Sequence, residues 1–120
     1  MNEKELIERT KQMALRVIDL VRSLPKSDEG VILGKQVLRS ATSVAANYRS
    51  ACKARSRKDF INKLGIVEEE ADETQFWLEL IVDSHLMSSE RVHDLMNETS
   101  ELTAIFAASR MTASKNSHKL

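Results

Sequence analysis

Apolar residues recur along this chain in four long stretches, each with the alternating three- and four-residue steps that keep side chains on one side of an α-helix. The most regular stretch runs from Arg57 to Asp83, where Phe60, Leu64, Val67, Ala71, Thr74, Leu78 and Ile81 form one core-facing stripe. A second stripe, Ile66, Glu70, Glu73, Trp77 and Leu80, lies about a quarter turn or more to its side. The combined apolar arc is wider than one bundle core requires. This helix is therefore expected to pack against its own domain and against a neighbouring subunit.

The first helix covers about residues 3–24, with Ile7, Ala14, Ile18 and Val21 on one face and Leu6, Met13, Val17, Leu20 and Leu24 on its flank. Pro25 closes it, because proline lacks the backbone donor and disfavours helical geometry in the residue before it. Ser27 or Asp28 then serves as the next N-cap. The second helix covers about residues 28–54, with Leu33, Val37, Ala41, Val44, Tyr48 and Ala51 inward. Its flank carries small or polar residues instead: Gln36, Ser40, Ser43, Asn47 and Ser50. A solvated face is the alternative, but such faces are usually rich in Lys and Glu. The stripe is expected to admit a close neighbour and to hydrogen-bond Glu70 or Glu73, with Arg39 as a further candidate partner.

Ser56-Arg57-Lys58-Asp59 reads as a capping box, with Ser56 at the N-cap and Asp59 reaching back to it. A fourth helix over about residues 89–111 buries Val92, Leu95, Met96, Thr99, Leu102, Thr103 and Phe106. Residues 113–120 are polar and aperiodic and read as a disordered tail. Four helices of similar length joined by short loops predict an all-α, up-down-up-down (antiparallel) four-helix bundle over residues 1–112.

A chain of 120 residues is one domain, and it is short enough for oligomerisation to add stability. Its 18 basic residues balance 18 acidic ones, so contact with nucleic acid or membrane must use a local patch. The single cysteine, Cys52, excludes an internal disulfide framework and fits a reducing compartment. The charged start lacks the apolar core of a secretory signal, and no apolar run approaches the roughly 20 residues of a membrane span. A soluble cytoplasmic protein without membrane contact is expected.

Local charge changes the picture. Residues 49–63 hold Arg49, Lys53, Arg55, Arg57, Lys58 and Lys63 against Asp59 alone, a balance of +5. Residues 68–79 hold six carboxylates and no base. The turn between the second and third helices is thus a positive end, which a cyclic oligomer would repeat around a ring to make a phosphate-backbone surface. The alternative is a solvated turn whose bases pair with a neighbour's acids, favoured by the lack of interleaved aromatic residues to stack bases.

Catalytic chemistry finds no support. A di-iron bundle needs inward Glu-x-x-His motifs on two helices, and the one such tetrad, Glu90-Arg91-Val92-His93, lies in the first turn of the fourth helix. His85 and His93 have no evident third ligand, and Cys52 reads as a small buried hydrophobe rather than a nucleophile. No metal, cofactor, catalytic residue or small-molecule substrate is expected. Gln36, Arg39, Ser43, Asn47, Ile66, Glu70, Glu73, Trp77 and Leu80 are the candidate subunit interface or polar network.

The residues from Gln36 to Tyr48, then Ala51, Ser56-Arg57-Lys58-Asp59-Phe60-Ile61-Asn62-Lys63-Leu64, Glu70-Ala71-Asp72-Glu73-Thr74 and Trp77-Leu78-Glu79-Leu80 form a spaced polar pattern. On these residues the chain resembles the bacterial four helix bundle protein family, also called S23-like or the 23S rRNA intervening-sequence protein family. Ser50 and Glu69 depart from that family's usual Glu and Lys. The resemblance implies an up-down bundle, a ring-like homopentamer and no catalytic residues. Some members are encoded inside intervening sequences of ribosomal RNA genes, and a related accessory protein of diversity-generating retroelements is a basic pentamer that binds nucleic acid and a reverse transcriptase. The expected function is a homo-oligomeric scaffold or adaptor holding RNA or a nucleic-acid-handling protein at its basic end; the alternative is a structural or protein-binding oligomer.

Overall fold

The first three helices begin where a short polar side chain satisfies an exposed amide. The computed structural model describes residues 1–118 and contains α1 (Glu3–Ser23), α2 (Asp28–Ala51), α3 (Arg57–Asp83) and α4 (Ser89–His118). Asn2, Ser27 and Ser56 are the N-caps of the first three helices, their side-chain oxygens accepting from the amides of Glu5, Gly30 and Asp59. The capping box at Ser56 is one-sided. Asp59 is a methylene shorter than the usual Glu, and its carboxylate lies 3.5 Å from Lys63 Nζ, a turn along its own helix.

The helices form an antiparallel four-helix bundle, a rod of 53 × 21 × 20 Å. Around it α1 neighbours α2, α2 neighbours α3, and α3 neighbours α4; α1 and α4 meet least extensively. The stripe read on α3 lies in the core: Leu64, Val67, Ala71, Thr74, Leu78 and Ile81 are buried. On α1 the order of faces is reversed from expectation. Leu6, Met13, Val17, Leu20 and Leu24 fill the core, whereas Ile7 and Val21 are only partly buried, because two adjacent apolar rows on one helix look alike until a neighbour selects one.

The α2–α3 contact is built on small residues. Ser40, Ala41 and Val44 are buried on α2, and the fully buried hydroxyls of Ser40 and Thr74 face each other, with Thr74 Oγ1 donating to Ser40 Oγ at 2.9 Å. At one end of the core, Tyr48 and Phe106 pack with ring centroids 5.3 Å apart. Arg9 on α1 holds Glu98 on α4 through Nε at 3.0 Å, closing the looser edge, and this hydrogen bond pushes the guanidinium still higher.

Two boundaries differ from the sequence reading. Helix α2 stops at Ala51, three residues early, because Cys52 caps it and the backbone turns through Lys53 and Ala54. Helix α4 continues to His118, where a disordered tail was expected from Ala113. Ala113 is buried and lines a groove with Ala51, Cys52 and Phe60, so one apolar side chain in a polar run anchors the extra turns. The tail's last two residues, 119 and 120, lie outside the described residues.

Two turns carry local tests. Gly30 packs against the backbone carbonyl of Pro25, with no room for a Cβ. Gly30→Ala is expected to destabilise the fold by about 1–3 kcal/mol, read from the midpoint of urea unfolding. After α3, His85 adopts φ 65°, while the amides of His85 and Leu86 bond to the carbonyls of Val82 and Ile81. This is a Schellman end with a side chain where glycine is favoured. His85→Gly is expected to raise stability by up to about 1 kcal/mol in the same measurement.

Candidate interaction faces and the basic end

Antiparallel packing of α2 and α3 sets their outer edges side by side, and there the second stripe of α3 meets the polar flank of α2. Arg39 bridges them: Nη1 lies 3.2 Å from Glu70 Oε2, Nη2 binds Glu73, and Nε donates to Gln36 Oε1 at 3.3 Å. One guanidinium thus gathers Gln36, Glu70 and Glu73 into a network. Ser43 and Asn47 do not join it. Asn47 Nδ2 donates to the Ser43 hydroxyl at 2.8 Å and to the Ser43 carbonyl at 2.9 Å, satisfying both along one helix face. Ser50 turns to Lys63, whose ammonium donates to its hydroxyl at 3.0 Å. The expected bonds from the hydroxyl and amide stripe to the glutamates are therefore replaced by Arg39, whose longer reach spans the helix gap.

Apolar residues flank this network. Ile66 is 44% exposed and Ile32 58%, while Trp77 and Leu80 are half-buried. Phe76, 48% exposed, stands edge-on against the Trp77 ring at a centroid distance of 5.1 Å. The Trp77 indole nitrogen is buried without a hydrogen-bond partner among the described residues. The sequence reading included Trp77 and missed Phe76 and Ile32, which lie just outside the rows counted as apolar.

A separate apolar strip lies on the α1–α2 edge. One groove there is lined by Ile7, Ala14, Leu15, Ala45 and Ala46 with Lys11 and Arg49 at its rim. A second, nearer the α1–α2 turn, includes Val21, Val31, Gly34 and Leu38 with Lys26 and Lys35.

The basic end is real in three dimensions. Arg49, Lys53, Arg55, Arg57 and Lys58 are all exposed, and none forms an ion pair among the described residues. Lys63 is different, being held by Asp59 and Ser50. The continuation of α4 brings a further exposed lysine, Lys115, which lies two residues beyond Ala113 in the groove beside Arg55 and Arg57. Reading the tail as disordered concealed it. The acidic stretch is partly neutralised from within: Glu70 and Glu73 by Arg39, and Glu68 by Arg110 at 2.6 Å, a bond that pushes the Arg110 guanidinium higher.

Cys52 lies half-buried beside this end. Burial pushes its thiol above the ordinary range and does the same to the neighbouring Tyr48 hydroxyl, so little thiolate exists near neutral pH. Among the described residues, no group of three His, Cys, Asp or Glu side chains is placed to hold a metal ion. His85 and His93 are exposed, and His93 Nε2 lies 3.1 Å from Asn97 Nδ2. Among the described residues, no helix is long and apolar enough to cross a membrane.

The fold recurs in a solved structure. A crystal structure of a protein of unknown function from the S23 ribosomal protein family of Bacteroides thetaiotaomicron VPI-5482 superposes with a TM-score of 0.81 at 35% identity, covering 87% of this chain and 96% of that one. No curated protein matches the sequence. The family profile described as 23S rRNA-intervening sequence protein matches residues 2–108, nearly the whole bundle, and the chain belongs to that family.

Proposed function

We propose that this protein is a non-enzymatic, homo-oligomeric scaffold, a pentamer by its resemblance, that presents its basic α2–α3 ends together to RNA or a ribonucleoprotein. One observation carries the reading: five exposed cations without ion pairs among the described residues gather at one end of a chain whose net charge is zero. Arg57 and Lys58 stand in the first turn of α3, where the helix dipole disfavours positive charge, so an external anion offsets a local cost. Closed assembly would multiply the field of each end around one axis. The printed family description, which names 23S rRNA, agrees with a ribonucleoprotein setting. The lone cysteine supports a reducing, cytoplasmic location.

The second reading is a structural or protein-binding oligomer with no nucleic-acid role. It is favoured by the aromatic side chains near the basic end: Phe60 is partly buried and Tyr48 wholly so, leaving no stacking platform for bases.

Light scattering of the full chain is expected to give a mass of several copies. Ile66→Asp, at a position 44% exposed and outside the buried core, is expected to shift that mass towards the monomer; an unchanged mass would remove Ile66 from the interface. In a low-salt filter-binding titration, structured or single-stranded RNA should be retained, with affinity falling as salt is added. Arg55→Glu combined with Lys58→Glu should weaken retention by about tenfold or more. Retention that ignores both salt and charge reversal would sink the RNA reading and leave the second.

A further inference from the structure

The seam between α1 and α4 is the least extensive in the bundle, and its two halves differ in charge. At one level Arg9 of α1 holds Glu98 of α4. The two helices run antiparallel, so seven residues forward on α1 and seven back on α4 lead to Arg16 and Arg91. Seven residues make almost two whole turns, about 10.5 Å of rise, and return each side chain to nearly the same face. The register that sets Arg9 against an acid therefore sets Arg16 against another arginine. Arg16 and Arg91 line one groove, both are exposed, and neither forms an ion pair among the described residues.

We infer that this groove binds a small organic anion, a carboxylate or phosphate head carried on a short apolar body. Two guanidiniums brought to one opening from different helices repel each other, and each presents a fork of donors that matches such a head. Arg91 also stands in the first turn of α4, where the helix dipole adds to the cost of positive charge. A bound anion offsets both costs. Beneath the arginines the lining is apolar: Leu20, Met87 and Leu95 are core residues that also reach this groove. The one carboxylate among the lining residues, Asp19, lies 3.7 Å from Arg22, a turn further along its own helix, and so leaves the two arginines unneutralised.

Size and surroundings select a compact ligand. The groove holds about 270 Å³, just less than the roughly 300–1,000 Å³ of drug-sized pockets, which suits a head group and a few carbon atoms. Exposed Asp19, Glu90 and Asp94 flank the arginines, confining the positive field to the mouth of the groove and disfavouring an extended polyanion. The site lies in the half of the rod remote from the α2–α3 turn, so it stands independently of the RNA reading.

The test is an NMR titration of the full chain with isotope-labelled methionine methyl groups. Met87 reports from the groove, and exposed Met111 reports from the end near Ala113 and the α2–α3 turn. Phenyl phosphate and benzoate are expected to shift the Met87 methyl saturably and to leave Met111 in place, and the tighter of the two names the head group. Inorganic phosphate, which lacks the body, and phenol, which lacks the charge, should bind about tenfold or more weakly than the better probe. Arg16→Gln should weaken that probe by about tenfold or more. Arg91→Glu should abolish the shift while holding the urea midpoint at or above that of the unsubstituted chain, because it gives Arg16 the partner that Glu98 gives Arg9. The Arg55→Glu, Lys58→Glu chain should bind the probes unchanged, so this site and the RNA surface fail separately. The inference is overturned if no probe shifts Met87 saturably, if Met87 and Met111 shift alike, or if Arg16→Gln and Arg91→Glu both bind the probes as the unsubstituted chain does.

Discussion

The contact between α2 and α3 governs the rest of this molecule. Ser40 and Thr74 are wholly buried, each hydroxyl lies within bonding distance of a carbonyl of its own helix, and the contact between the two hydroxyls forms in one longitudinal register of α2 against α3. Small residues around it keep the two helices close. Once that register is set, Arg39 reaches Glu70 and Glu73, Lys63 reaches Ser50, and the outward apolar side chains of α3 lie at fixed heights along the rod. The same few atoms that align the core also align the surface.

Charge follows from that alignment. The acidic stretch of α3 would repel itself if it stood alone, but α2 and α4 each contribute an arginine to it, and Lys63 takes Asp59. Internal pairing thereby consumes many of the carboxylates near the middle of the rod. It leaves the cations of the α2–α3 end without ion-pair partners among the described residues, with Glu3 of α1 the carboxylate that shares their groove. Exposed ion pairs of this kind add little stability, so their main effect is to decide which charges remain available to another molecule.

Among the described residues no group of three His, Cys, Asp or Glu side chains is placed to hold a metal ion. The bundle core is an ordinary one of Leu, Val, Ile, Met and Phe side chains. What distinguishes the chain is what lies outside that core: an aromatic pair beside an indole N–H without a partner, small-residue grooves with basic rims, and an end rich in cations. Exposed apolar side chains such as Ile66 and Phe76 cost solubility in an isolated chain.

Much of the fold was legible in the sequence. The 3.6-residue period, Pro25, Ser27 and Ser56 determined the number, order and near boundaries of the helices, because period and capping act within a few residues along the chain. The family resemblance was legible too, carried by the polar residues of the second and third helices. Tertiary structure alone decided which of the two apolar rows of α1 entered the core, that Arg39 rather than Ser43 or Asn47 reached the glutamates, and that Ala113 drew α4 on to His118. Each of those outcomes depends on a neighbour's distance and height, and helical periodicity specifies direction around one axis without saying what stands opposite.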